Sequence, residues 1–378
     1  MKSNPIVEQE YLSQSLPGER KIFDPKRAHI IGVLMGEGVG DEVVPAALEV
    51  LQVLADRGSR HFDVRIGGAI GKEAFKTSGK WLTGEVIDFC AAVFADGGAL
   101  FCGPGGGRFV YDLRAHFDLF CKFTPLRPVL ALGDTGLLRL ERVSGVDIVA
   151  VRENTGGLYY GNGGWEEDAR TAYHCFSYQA EAVDRILAVG YRLARARRGK
   201  LCVTIKSFGV PTISQLWEER VHHLHCQPEV AVRVLEIDNA AYQLVANAHD
   251  FDVVVSPNMF GDVLADGGAL LLGARGMSYS GNFGPAGRAV YQTGHGSAYD
   301  IVGTDSANPI GQIHALAMML RESFDWPAGA SAIHEAVETT LAQGYRTPDI
   351  AARGCRLIGT RELARRVCAN LAKIVVSQ

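Results

Sequence analysis

The sequence has no excess of charge of either sign. Its 38 Lys and Arg stand against 42 Asp and Glu, a net −4. A dedicated nucleic-acid binder usually carries a basic excess, and nothing here would draw the chain to an anionic membrane. No apolar run approaches the about 18 residues of a spanning helix. The eight cysteines form no CxxC pair, so buried reduced thiols are the expectation. The cluster His222, His223, His225 and Cys226 gives no zinc site: adjacent histidines rarely reach one tetrahedral ion, and no second ligand pair has the right spacing. The 44 glycines show no G-X-Y period, which excludes collagen. Residues 1–28 lack a signal-like apolar core, so a cytoplasmic protein with a polar N-terminal extension is expected.

What remains is an ordinary globular composition, 47% hydrophobic and 21% charged over 378 residues. That length suits two domains or one large α/β unit. Strand-like runs at 29–35, 64–66, 99–102, 146–151, 201–205 and 253–256 alternate with helical patterns. The helices are expected at 41–54, 85–94, 169–196, from 214, and at 261–272, 307–322, 331–341 and 360–376. Alternation of this kind predicts an α/β architecture. The turn GEGVGDEV at 36–43 follows a strand and opens a helix. Its third glycine comes one residue too early for the G-x-G-x-x-G of a Rossmann fold, so it reads as a tight strand-to-helix turn.

Chemistry concentrates in a set of embedded acids and arginines and one donor-rich loop. Asp262 and Asp266 lie four apart on an apolar helical stretch, where i and i+4 share a face. Asp238 is a third acid among apolar neighbours. Such oxygen ligands suit Mg²⁺ or Mn²⁺; the competing reading is a solvated helix face. Arg114, Arg127 and Arg152 sit in apolar settings and require anionic partners. Those partners are either protein carboxylates or, beside a metal, a substrate carrying two or more carboxylates. The loop HGSAYD at 295–300 is rich in donors and could wrap a nucleotide, with Asp300 accepting from ribose hydroxyls.

These segments together resemble the metal-dependent decarboxylating β-hydroxyacid dehydrogenases, the isopropylmalate, isocitrate, homoisocitrate and tartrate dehydrogenases. The resemblance runs from about Ile30 to the C-terminus. It is carried by GEGVGDEV, LRAHFDLF, LRPV, VRENTGGLYYG, DNAAYQLV, FDVVVSPNMFGDVLAD and HGSAYDIVGTDSANPIGQIHALAMML. It implies two α/β domains sharing a mixed sheet around a cleft, not a Rossmann fold. Residues 1–119 with 274–378 would form the large cofactor-binding domain, and 120–273 the small domain with the dimer interface.

The resemblance also implies roles. Arg114, Arg127 and Arg152 would hold malate-like carboxylates. Tyr159 would be the general acid, and Lys206, reaching the partner subunit's site, would help deprotonate the substrate hydroxyl. Asp262 and Asp266 would bind Mg²⁺ or Mn²⁺ with Asp238 of the partner subunit. His295, Gly296, Ser297, Ala298, Asp300, Ile301 and Asn308 would hold NAD, since an acid at 300 repels the 2′-phosphate of NADP. The expected reaction is oxidative decarboxylation of a 3-substituted malate by a homodimer, with no nucleic-acid or membrane partner.

Four departures from the family pattern stand out. Asp41 replaces the usual proline after GxGxG. The segment between Arg114 and Arg127 is three residues longer than in typical members. Lys206 is followed by Ser207-Phe208-Gly209 rather than Ala-Asn-Val. The stretch before Arg114, which meets the malate substituent in this family, reads GRFVYD. Arg108 and Tyr111 make a poor greasy pocket, so Arg108 is expected either to read a distal anion such as a carboxylate or phosphonate, or to face solvent. The alternatives are isopropylmalate dehydrogenase proper and a silent regulatory subunit; the retained acids, tyrosine and lysine speak against the latter.

Overall fold

A computed structural model describes residues 11–18, 28–105, 107–133, 138–224 and 229–376. Ten strands form one sheet: β1 (His29–Leu34), β2 (Phe62–Ile66), β3 (Ala99–Cys102), β4 (Cys121–Leu126), β5 (Ile148–Glu153), β8 (Lys200–Ile205), β9 (Ala231–Glu236), β10 (Val253–Ser256), β11 (Tyr279–Phe283) and β12 (Ala289–Thr293). Between β5 and β8 a separate hairpin carries β6 (Asn162–Trp165) and β7 (Ala172–Cys175). The twelve α-helices among the described residues are α1 (Gly40–Gly58), α2 (Gly71–Ser78), α3 (Gly84–Ala95), α4 (Phe109–His116), α5 (Leu140–Val143), α6 (Ala180–Ala196), α7 (Pro211–Leu224), α8 (Ile237–Ala246), α9 (Asn258–Leu272), α10 (Ile310–Glu322), α11 (Pro327–Ala342) and α12 (Thr360–Leu371).

The sheet order is β2-β1-β3-β12-β11-β4-β5-β10-β8-β9. Its two flanks are parallel. Its centre, β12-β11-β4-β5, is antiparallel. The parallel strands are covered by helices and read as near-continuous apolar runs. β1, β3 and β10 are almost wholly buried. α10 packs on β11 and β12, while α9 packs on β4 and β5. The expected α/β class with a shared mixed sheet is what the chain adopts.

Local chemistry sets the element ends. α1 buries Val43, Val44, Ala47, Val50, Leu51 and Leu54 on one face and stops at Ser59 in the left-handed region. The helix expected from 307 starts at Ile310, because Asn308 precedes Pro309 and is biased away from helix; the Asn308 side chain accepts from the Ile310 N–H instead. The helix expected over 169–196 is shorter. Its first part is β7, an exposed strand whose Ala-Tyr-His-Cys pairs antiparallel with Asn-Gly-Gly-Trp of β6, and aromatics favour extended pairing over helix. The last helix ends at Leu371 rather than 376.

Of the cysteines, Cys90, Cys102, Cys121 and Cys202 are buried and free, whereas Cys175 is exposed and Cys355 and Cys368 are half-buried. Cys226 and His225 lie outside the described residues. A short N-terminal segment, Leu12–Ser15, docks on the body. Buried Glu322, at the end of α10, accepts from the Leu12 and Ser13 N–H groups and the Ser13 hydroxyl. Arg192 of α6 donates to the Ser15 carbonyl.

Candidate active site

α9 positions one face of the site. Asn258, Asp262 and Asp266 recur every fourth residue and so stack along one side. Gly261 lets this helix approach β5: a Cβ there would stand 2.9 Å from Cβ and Cγ of Arg152. The Asn258 carbonyl accepts from Nε and Nη2 of Arg152 at 2.9 and 2.7 Å. Its amide donates to the Gly156 carbonyl. One turn on, Asp262 accepts from Arg152 Nη1 and, at 2.9 Å, from the Tyr159 hydroxyl. A further turn on, Asp266 pairs with Arg275 at 2.7 Å.

The electrostatics are lopsided. Burial pushes the Asp262 carboxyl up, but Arg152, Lys122, the Tyr159 hydroxyl and Arg114 outweigh it and hold it below the ordinary range. Burial, and then the charge of Asp262, drives the Tyr159 phenol well above its usual value. That phenol is a firmly held proton. Arg114, on α4, is only 5% exposed. Burial, with repulsion from Arg152, pushes it down to about 10. Its Nε is buried with no hydrogen-bond partner.

Lys122 joins this group, and the sequence reading did not select it. It stands on β4 directly across from Arg152 of β5 and Asn282 of β11. It is 7% exposed. Burial, then Arg114 and Arg152, push it down to about 7. The signal was available: one lysine inside the otherwise apolar FCKFTPL. Asn258 was missed as well, though a fully buried asparagine demands partners.

Arg127 is a correction. It lies just past the end of β4 and forms an ion pair with Asp147 at 2.8 Å, partly exposed. From Lys122 to Arg127 is roughly 17 Å along the strand, at about 3.4 Å per residue. The longer segment after Arg114 is absorbed by strand, not by a loop, so Arg127 is carried beyond the cleft and Lys122 faces Arg152.

Arg108 stays at the rim. Its Nε meets Asp112 at 3.2 Å and its Nη1 meets the Tyr159 carbonyl at 3.3 Å. The guanidinium also lies 5.6 Å from the Tyr111 ring centre. It therefore touches the tyrosine loop and remains half-exposed.

Lys206 and Asp238 form a second group at the end of β8. The ammonium meets Asp238 at 2.6 Å and Glu236 at 3.4 Å. The hydrogen bond to Asp238 raises the lysine and lowers the aspartate. Neither has a hydrogen bond or ion pair with the Tyr159–Asp262 group among the described residues. No three Asp, Glu, His or Cys converge to hold an ion among those residues of one chain. Asp262 and Asp266 offer two hard donors one turn apart, which suit Mg²⁺ or Mn²⁺ once a third oxygen joins them.

The loop after β12 faces the first glycine-rich turn. The Val39 N–H donates to the Ser297 carbonyl at 2.9 Å. Gly38, at φ +61, has no room for a Cβ, which would stand 1.8 Å from that carbonyl oxygen. The 36–40 turn is thus a tight turn braced on the loop rather than a dinucleotide fingerprint. Burial lowers His295, whose Nδ1 lies 2.8 Å from the Gly296 carbonyl. Ala298 is left-handed, and Asp300 and Ile301 follow on an exposed-to-half-buried turn. Asn308 is buried and donates to Asp349 at 3.1 Å.

The sheet places the chain among the mixed-sheet α/β proteins. The chain matches the sequence profile of the isocitrate/isopropylmalate dehydrogenases over residues 30–367. It is 39% identical over 357 residues to the 3-isopropylmalate dehydrogenase of Gloeobacter violaceus, covering 90% of this chain and 97% of that one. It is 36% identical over 361 residues to the enzyme of the same name from Aquifex aeolicus, covering 91% and 97%. The crystal structure of isocitrate dehydrogenase from Methylococcus capsulatus is similar at a TM-score of 0.80 and 28% identity, covering 91% and 99%. The chain belongs to the isocitrate/isopropylmalate dehydrogenase family.

Proposed function

We propose that the protein oxidatively decarboxylates a 3-substituted malate with NAD⁺ and Mg²⁺ or Mn²⁺, acting as a homodimer with shared sites. The observation that carries this reading is the buried cationic group of Arg114, Lys122 and Arg152 against Asp262 and a firmly protonated Tyr159. Uncompensated buried charge is costly, and a substrate with two carboxylates supplies what the protein withholds.

In this reading Arg114 and Arg152 fix the malate carboxylates. Lys206 of the partner subunit, in its neutral form, would help remove the proton of the substrate hydroxyl as that carbon is oxidised and NAD⁺ is reduced. The C–C bond to the β-carboxylate then breaks, CO₂ leaves, and Tyr159 delivers its proton to the carbon that keeps the electron pair. Asp262, Asp266 and Asp238 of the partner subunit would hold the divalent ion, which would supply Lewis-acid stabilisation of negative charge on the substrate. The 295–301 loop and Asn308 would hold the dinucleotide, with Asp300 turned against a 2′-phosphate.

The substituent separates two substrates. Arg108 beside the Tyr159 carbonyl favours a distal anion, as in an isocitrate-type acid or a phosphonate. The names of the relatives favour 3-isopropylmalate. NADH formation with 3-isopropylmalate, isocitrate, homoisocitrate, tartrate, malate and a phosphonomethylmalate decides between them. Arg108→Ala should then cost the anionic substrate far more than isopropylmalate. An unchanged preference and KM in Arg108→Ala would sink the distal-anion reading. No turnover on any acid, with or without metal, would sink the reaction itself.

A further inference from the structure

We propose that Lys122 is a substrate-binding residue whose ammonium holds a carboxylate of the malate core between Arg114 and Arg152. This rests on the function proposed above and gives the anion site a lysine that the sequence pattern assigned to Arg127.

The register carries the argument. Directly opposed residues in an antiparallel pair project from the same face with Cβ atoms about 4.5–5.5 Å apart. Lys122 opposes Arg152 on one side and Asn282 on the other. It is therefore fixed by the sheet centre rather than by a loop. Its immediate neighbour in charge is another cation, and Arg114 is close enough to add repulsion.

Asp262 and Asp266 attract that charge from a distance, but no described protein group is in contact with it. Among the described residues Lys122 makes no hydrogen bond or ion pair, and the Arg114 Nε has none either. Asn258 and Asp262 are engaged by Arg152, and Asp262 also by Tyr159. Asp266 is turned to Arg275. A lysine kept for structure would be paired, since Lys is almost never buried alone. An ammonium is a point charge with three rotatable donors, whereas the two arginines offer fixed forks. The Lys122 ammonium can thus donate to a carboxylate oxygen from a wide range of directions, and a cation of either kind at this position can serve it.

The test compares wild type with Lys122→Met, Lys122→Gln and Lys122→Arg, using whichever acid of the panel wild type turns over best. In Lys122→Met and Lys122→Gln the KM for that acid should rise on the order of 10–100-fold, the usual value of a hydrogen bond to a charged group. The KM for NAD⁺ should stay unchanged. Lys122→Arg should recover most of the loss. Without ligand, Lys122→Met should melt at the same temperature or higher, because a buried ammonium with no hydrogen bond or ion pair is gone. A KM for the acid within about twofold of wild type would overturn the assignment. So would a parallel rise for acid and NAD⁺ with a lower melting temperature, which marks a structural role. If wild type turns over none of the acids, the proposed function fails and Lys122 falls with it. If wild type is active and the variants match it, the Lys122 assignment fails alone.

Discussion

Tyr159 and Asp262 form a pair in which each sets the other's protonation. Asp262 keeps the phenol protonated, and the phenol with Arg152 keeps the carboxylate charged. Tyr159→Phe removes only the transferable proton. It should lower kcat about 10²–10⁴-fold, the usual contribution of a general acid, with KM little changed. Steady-state kinetics check this, and an unaltered kcat would remove Tyr159 from the chemistry. Asp262→Asn keeps the shape and loses a hard donor. Its melting temperature should no longer rise when Mg²⁺ or Mn²⁺ is added, whereas that of wild type should. At this scale motif spacing singled out Arg114, Arg152, Tyr159 and Asp262, which the structure brings into one group. The same spacing was misleading for Arg127, because spacing alone does not say whether extra residues form a loop or lengthen a strand.

The elements hold these groups by close contact. Gly261→Ala would drive a methyl group into Arg152 and push α9 off β5. Overpacking of this kind costs about 1–3 kcal/mol, which urea unfolding would read, and it should depress turnover further by shifting Asp262. A pH effect belongs to α10 and α11, where the rings of His314 and His334 lie tilted against each other with centres 4.7 Å apart. Burial pushes His314 down to about 4 from an ordinary 6.5. The unfolded chain therefore takes up this proton first as pH falls. The stability His314 permits is complete above about 6.5 and drains away towards about 4, at ~1.4 kcal/mol per pH unit for one proton. Urea midpoints between pH 7 and 4.5 should fall less steeply in His314→Gln than in wild type. The strands β1, β2, β3, β5, β8 and β10 and the longer amphipathic helices were legible here from apolar runs and helical period, whereas β9 and the short helices α2, α4, α5 and α8 were not. The β6–β7 hairpin was not: its ladder joins glycines to aromatics with no alternation to reveal it.

The whole molecule places Tyr159 with Asp262 and, apart from them, Lys206 with Asp238. In a dimer with shared sites, Tyr159→Phe and Lys206→Met damage different halves of one site. Mixed after joint refolding, the two inactive variants should recover about a quarter of wild-type activity, since half the random dimers carry one intact site. No recovery would mean that each chain works alone. The class of the fold was readable from alternation. The antiparallel centre was not, because β4 is distant in sequence from the consecutive strands β11 and β12 and their pairing is set only by folding. The docked Leu12–Ser15 segment was equally silent, yet it fastens α6, on the β4–β9 side of that centre, to the end of α10 on the other. It works as a tether across the seam along which a cleft of this kind opens. A chain begun at residue 19 would keep every catalytic group and lose the tether. Its amide protons in α6 and at the end of α10 should exchange faster, and its product release should quicken if opening limits turnover.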